Sequence, residues 1–428
     1  MRVLVLGATG FIGTAVCARL AQEGHIVVGA GRRKPQVQPL SVDEWVCADL
    51  STTQMQDWLS VLDNVEVVVN CVGVLQDSPR ESTRAAHVKG PGVLFAACAD
   101  AGVRRVIHFS AIGVDRHQAS AFSATKLEGD EALMALPLEW VILRPSVVLG
   151  PAAFGASALF RGLAALPILP AVRNAGSLQV IALEDVTEAV AFFMRSDAPA
   201  HMTVELAGPE RLSMSDVVVV YRQWLGWRPA IAVQVPDWAS KSMYRLGDMA
   251  SALGWRPPVR TTAMLEIRHG AIGDPRPLID VTGIEPVRLS QTLAQRPVSV
   301  QERWFARLYF LKPLLFVILA AFWMLTGIIS LTTGFPIGVD LMVQARTGLL
   351  AAPGVIAGAI ADISVGLAIA YRPTTFYGLW AAIALSCFYI VAGTILLPEL
   401  WNEPLGPLLK IWPILAAHGV ALAILEER

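Results

Sequence analysis

The chain opens with VLVL running into GATGFIG, which sets Gly7, Gly10 and Gly13 three residues apart, with Thr9, Phe11 and Ile12 between them. Glycine at such a strand-to-helix bend admits unusual backbone angles and close approach of a diphosphate, and the helix N-terminus offers bare amides and partial positive charge. The spacing therefore predicts a dinucleotide site. Farther on, GAGRRK places Arg32, Arg33 and Lys34 after the second apolar run, where a NAD-selective site carries an acid. Cations there suit a 2'-phosphate, so NADP(H) is favoured over NAD(H). In FSATKLEGDEAL, Phe122 and Lys126 stand one helical turn apart, and the phenyl ring has no ionisable proton. His87, His108 and His117 are the imidazoles available to this region as acids. No cysteine pair or His/Cys spacing suits a metal. Cys17, Cys47, Cys71, Cys98 and Cys387 read as reduced, buried, small apolar residues.

The elements that must carry these residues show in the hydrophobic pattern. Residues 3–6, 25–30, 65–71, 105–109 and 139–144 are near-continuous apolar runs, as expected of parallel strands covered on both faces, with helix-length segments between them. The reading is a Rossmann-type, doubly wound α/β sheet, followed from about residue 206 to 300 by a small substrate-side subdomain. The apolar stretch 160–172, with two prolines, reads either as a loop on a bilayer surface that admits a lipid-soluble substrate or as a buried lid.

Composition then separates the chain into two parts. It has 428 residues, 54% hydrophobic and only 16% charged, too apolar for an ordinary soluble enzyme. The net charge of −1 and the lack of a basic stripe argue against a nucleic-acid partner. Residues 313–339, 347–371, 373–398 and 404–425 are apolar enough to cross a bilayer, so a four-helix transmembrane bundle is expected over 313–428. Residues 301–312, mixing Arg303, Arg307 and Lys312 with Trp304, Phe305, Tyr309 and Phe310, suit the headgroup layer and follow a nucleotide-binding domain at 1–300. The N-terminal segment lacks a secretory apolar stretch, and the positives, including Arg372, place both ends on the cytoplasmic side of an inner membrane. Within the second span Gly354, Gly358, Asp362 and Gly366 share a helix face, and His418 in the fourth is a candidate to share a proton with Asp362.

In order along the chain, GATGFIG, CADL (47–50), NCVG (70–73), HFSAIG (108–113), the Lys126 helix, ILRPSVVLGP (142–151) and ALEDVTEAV (182–190) resemble the short-chain dehydrogenase/reductase superfamily. The likeness is closest to its atypical NmrA-like branch, which includes the NAD(P)H-binding accessory subunit of respiratory complex I. The tail resembles the DoxX-like membrane domain, which suggests a tie to the quinone pool. The resemblance implies that Asp49 and Leu50 meet the adenine, that Val72 and Gly73 line the pocket, and that Lys126 bonds the nicotinamide ribose. It also implies a tyrosine acid where Phe122 stands, with a helper hydroxyl near Ser110. All six tyrosines lie beyond residue 220, so none replaces it. Two functions follow. One is a membrane-anchored NAD(P)H oxidoreductase with a lipophilic, quinone-like acceptor; the other is a non-catalytic NADPH sensor or a stability module of a membrane respiratory complex.

Overall fold

Val3 and Val5 point to one side of the first strand and Leu4 and Leu6 to the other, and all four are buried in separate cores. Such two-sided burial requires a sheet with helices on both faces. The computed structural model describes residues 1–78, 81–118, 120–171 and 175–425. Two units divide it: Met1–Asp248 with Pro257–Arg307, and Met249–Arg256 with Leu308–Arg428.

In the first unit, strands β1 (Arg2–Leu6), β2 (Ile26–Gly31), β3 (Glu44–Cys47), β4 (Val67–Asn70), β5 (Arg105–Phe109) and β6 (Glu139–Pro145) lie in one parallel sheet. Two short strands, β7 (Val148–Leu149) and β9 (Ile181–Ala182), pair with each other, as do β8 (Ile168–Ala171) and β11 (Ile231–Gln234). The seventh strand of the main sheet is β10 (Met202–Leu206), giving the order β10-β6-β5-β4-β1-β2-β3. The order reverses between β1 and β4, and ligands of such sheets bind at the carboxyl ends there. The five apolar runs became strands within one or two residues at each end, whereas β3 and β10 were not expected. Both are sheet edges, half exposed, so neither carries a continuous apolar run.

The helices that matter for the site are α1 (Phe11–Gln22), α2 (Met55–Val61), α3 (Gly90–Asp100, preceded by a π-turn at Ala85–Lys89) and α4 (Ala121–Met134). Ser120 starts α4, its hydroxyl accepting from the Phe122 amide at 3.1 Å while Ser123 accepts from the Ser120 amide at 3.2 Å, a capping box. The 160–172 stretch is mostly packed structure: Phe160 to Ala164 end helix α5 (Gly155–Ala164) and are buried, and Ile168–Ala171 is β8 with Ile168 exposed; Val172 lies outside the described residues. Of the cysteines, Cys17 and Cys98 are buried and Cys71 partly so, but Cys47 on the sheet edge and Cys387 are exposed, correcting the expectation for all five.

Among the described residues of the second unit three helices are long and apolar enough to cross a membrane: Leu311–Leu331, Gly348–Ala370 and Thr375–Leu396. Four had been expected. The first run breaks at Thr332–Gly334 and restarts as the short helix Phe335–Gln344 with Pro336 in its first turn. The last is only Ile411–Ala423, because Pro404 and Pro407 and the left-handed Gly406 (φ +55°) hold the preceding chain in turns. Thirteen residues rise about 20 Å, short of the ~30 Å apolar layer, so the inference that both ends share one side loses its fourth crossing. Packing between the first two long helices is close. A Cβ on Gly327 would lie 2.5 Å from the Ala359 carbonyl oxygen, and one on Gly366 would lie 2.8 Å from the Met324 nitrogen. Small residues at a crossing allow this approach.

Candidate nucleotide-binding site

The glycine bend is built by steric necessity. Gly7 has φ +72°, a region costly for other residues, and a Cβ there would press on the Cys71 carbonyl at 3.2 Å. At Gly13 a Cβ would fall 2.1 Å from the Gly7 oxygen, so α1 can approach β1 only with glycine at that position. The Gly10 amide closes the bend onto the Gly7 carbonyl at 2.8 Å. No side chain caps α1, leaving its first turn, Phe11 and Ile12, to present amides to an anion. Thr9 is exposed on the bend, and the Phe11 ring stacks on Phe154 at 5.6 Å. This cradle, closed to any added methyl and open at a helix N-terminus, fits a dinucleotide diphosphate.

At the end of β2, Arg32, Arg33 and Lys34 are all exposed, and Arg32 pairs with Glu81 at 2.7 Å. Beside them a Cβ on Gly29 or Gly31 would fall 3.0 or 2.9 Å from the Trp45 ring of β3. The Asp49 carboxylate accepts from the Ser51 amide and hydroxyl at 3.0 and 2.7 Å, which shapes the β3–α2 loop, while Leu50 is buried with its carbonyl against Gly90.

One stripe of α4 supplies the other wall. Phe122, Thr125, Lys126, Gly129 and Asp130 recur at three- and four-residue intervals and so share a face. Lys126 is buried, and its ammonium donates to the carbonyls of Val72 (3.1 Å) and Phe109 (2.7 Å), at the carboxyl ends of β4 and β5. Burial pushes its pKa down to about 8, opposed by the nearby Asp130 charge. Gly73 lies against it, a Cβ there standing 3.6 Å from the ammonium nitrogen. Gly129 lets the π-turn carbonyl of His87 come within 2.2 Å of where its Cβ would be.

Most of the expected acids are tied to neighbouring groups. The ring of Phe122 meets His87 edge-on at 5.6 Å. His87 Nε2 accepts from the Val74 amide at 3.0 Å, so Nδ1 carries the proton and donates to Thr125 Oγ1 at 2.9 Å. Burial and the Lys126 charge lower its pKa to about 3, so it is a neutral strut. His108 is buried with Nδ1 on the Asn70 amide at 3.1 Å, its pKa held well down by burial. Ser110 donates to Asp130 at 2.9 Å, and the same carboxylate oxygen takes Arg144 at 3.0 Å. Burial raises the Asp130 pKa against the pull of Arg144. Ser123 turns to Glu266 at 3.1 Å, and His117 is exposed beside His269. The strut role of His87 was not legible in the sequence; the π-turn that aims it has no local signature.

In the second unit Asp362 is buried and accepts from Tyr389 at 2.8 Å, while His418 Nε2 accepts from Trp323 at 2.9 Å and its Nδ1 donates to the Ile414 carbonyl at 2.7 Å. The structure thus pairs each with a different residue, correcting the expected Asp362–His418 pair. The small-residue stripe also faces several partners: Gly354 meets Met342, Gly358 meets the Tyr389 hydroxyl and Gly366 meets Met324. Among the described residues no cluster suits a metal.

The doubly wound sheet with its glycine bend and buried lysine defines a nucleotide-binding domain of the short-chain dehydrogenase type. Residues 3–202 match the NAD dependent epimerase/dehydratase family and residues 320–419 the DoxX-like family, so the chain joins an epimerase-type NAD-binding domain to a DoxX-like domain. A ceramide reductase of Caulobacter vibrioides is 27% identical over 262 residues, covering 60% of this chain and 80% of that protein. The mitochondrial NADH-ubiquinone oxidoreductase 40 kDa subunit of Neurospora crassa is 25% identical over 292 residues, 67% of this chain and 76% of that one. Among solved structures, MoeE5 in complex with UDP-glucose and NAD superposes with a TM-score of 0.55 at 20% identity, covering 72% of this chain and 99% of its own.

Proposed function

We propose that the protein is a membrane-anchored NAD(P)H oxidoreductase whose acceptor is lipophilic and quinone-like, and which runs without a tyrosine acid. The observation that carries this reading is an intact cradle beside a buried Lys126, with Phe122 one helical turn before it where the resemblance implies an acid. The bound nucleotide would supply a hydride. Reduction of a quinone then consumes one proton per hydride, which water can deliver, so no hydroxyl is needed on α4. Gly7, Gly10 and Gly13 hold the diphosphate, with Thr9, Phe11 and Ile12 around it; Asp49, Leu50, Val72 and Gly73 line the nucleoside pocket, and Lys126 orients the ribose. Ser110, held by Asp130, keeps the β5 end in register rather than touching substrate. Arg32, Arg33 and Lys34 suit a 2'-phosphate, and we take NADP(H) as the preferred form. The two relatives, a ceramide reductase and an NADH-ubiquinone oxidoreductase subunit, support a lipophilic partner. Arg303, Arg307, Lys312 and Arg372 support a cytoplasmic nucleotide domain at the inner membrane.

A second reading, a cofactor-holding module of a membrane respiratory assembly, is favoured by the neutral His87 strut, whose two ring nitrogens are both engaged beside Phe122. The test is fluorescence titration with NADPH and NADH, followed by turnover with a soluble quinone. Quinone-dependent NADPH oxidation supports the enzyme; tight binding with no turnover supports the module. Binding of neither nucleotide at millimolar supply overturns both.

A further inference from the structure

Helix Asp237–Ala252 is packed the wrong way round for a soluble surface helix. Its buried side carries Ser240, Tyr244, Gly247 and Ser251, and a Cβ on Gly247 would fall 1.8 Å from the Val259 carbonyl oxygen. At 100° per residue, Trp238, Leu246, Met249 and Leu253 come together on the opposite side. These large apolar residues are exposed, Trp238 by 73%, Met249 by 65% and Leu246 by 64%. Lys241 and Arg245 flank the stripe on one edge. A soluble helix turns its apolar side inward; here the sequence turns serine and glycine inward instead.

The end of this helix is tied to the membrane helices. Within the second unit the Trp255 indole donates to the Ala370 carbonyl, the last residue of a long span, at 2.8 Å, and its ring packs on Phe316 at 5.0 Å. The Arg372 amide donates to the Leu253 carbonyl at 3.0 Å, and its guanidinium lies over the Trp255 ring at 5.6 Å, within cation–π range. Span ends lie at the lipid–water boundary, so Leu253 and Trp255 are held at that depth. Helix Val300–Leu308 repeats the arrangement: Val300, Trp304 and Leu308 are exposed opposite the buried Ala306, two residues before the first span begins.

We propose that helix Asp237–Ala252 is an interfacial membrane helix, its Trp238, Leu246, Met249 and Leu253 stripe seated at the boundary of headgroups and acyl chains. An outward apolar stripe with a tryptophan and flanking cations matches the chemistry of that layer, where long cationic side chains reach back to the headgroups. The occupant of the stripe is lipid, because the same helix end is pinned to a span end.

The experiment uses the full chain in lipid nanodiscs, with Cys47, Cys71 and Cys387 replaced by serine and one accessible cysteine introduced as Leu246→Cys, Met249→Cys or, on the outside of α4, Glu131→Cys. Each is labelled with bimane and quenched by spin-labelled lipid and by aqueous iodide. The expected result is at least twofold quenching by shallow spin-labelled lipid at positions 246 and 249, with iodide quenching there at least twofold weaker than at 131. Equal iodide quenching at all three positions, without lipid quenching, overturns the proposal. So does protection that appears only with two copies per disc, which would assign the stripe to a second copy of the chain. The readout requires neither nucleotide nor turnover, so its outcome is separate from that of the catalytic reading.

Discussion

On the proposed reading, Phe122 occupies the place where one hydroxyl would change the chemistry. A positioned acid contributes roughly 10²- to 10⁴-fold to carbonyl reduction. Phe122→Tyr is therefore expected to raise NADPH-dependent reduction of a carbonyl substrate at least tenfold over wild type, measured by absorbance at saturating NADPH. No gain would mean that the edge-on contact with His87, and not the missing oxygen, is what blocks that chemistry. Lys126 gives a second prediction, in stability. Its pKa falls from 10.5 to about 8 on folding, because burial removes water from the ammonium. Between those values the unfolded chain binds the extra proton, so stability rises with pH across that window, by on the order of 3 kcal/mol in total. Below about pH 8 both states are protonated and the penalty is fully present. Urea denaturation of wild type and Lys126→Met at pH 7 and 9.5 checks this: wild type is expected to gain on the variant at the higher pH, and a pH-independent difference would sink the assignment. At the acid end His87 acts in the same direction, since its folded pKa of about 3 lies below that of the unfolded chain and stability is lost as pH falls below about 6.5.

The elements decide how tolerant each site is. Gly13 sits where α1 crosses the β1 bend, and Gly13→Ala sets a methyl 2.1 Å from the Gly7 oxygen. Overpacking of this kind costs about 1–3 kcal/mol, and moving the helix spoils the amide geometry. Isothermal titration is expected to show at least a tenfold loss of NADPH affinity; unchanged affinity would remove the bend from the site. In the membrane unit Gly366→Leu meets the Met324 and Ala320 backbones and is expected to separate the first two spans, seen as a fall in thermal stability in detergent. Nucleotide affinity is expected to hold in that variant. The sequence made the interior strands plain and hid β3 and β10, because an edge strand buries one side only and shows no apolar run. The spans were overcounted for a related reason: hydropathy averages over the turn before Pro336 and over Pro404 and Pro407, where the chain is not helical although its apolar content falls little.

At the scale of the whole molecule, two units with separate cores imply two unfolding events. A ligand stabilises only the state that binds it, by about 2.7 kcal/mol at 100 times its Kd. Calorimetry of the full chain in nanodiscs is expected to show NADPH raising one transition and leaving the other in place. A single transition that moves as one would mean that the units unfold cooperatively. The family matches follow the same division, one in each unit, at 3–202 and 320–419.

Local chemistry was readable along the chain alone. The glycine bend, the two-sided apolar strands and the long apolar helices each depend on backbone freedom or transfer energy within a few residues, so neighbouring letters suffice. Partner choice was not readable. Ser110 binds Asp130, Asp362 binds Tyr389 and His418 binds Trp323 across 20, 27 and 95 residues, and periodicity cannot tell which side of helix Asp237–Ala252 faces out. Such contacts are settled only when packed helices and strands bring distant side chains within about 3 Å, because a buried polar group must find its partner wherever the fold supplies one.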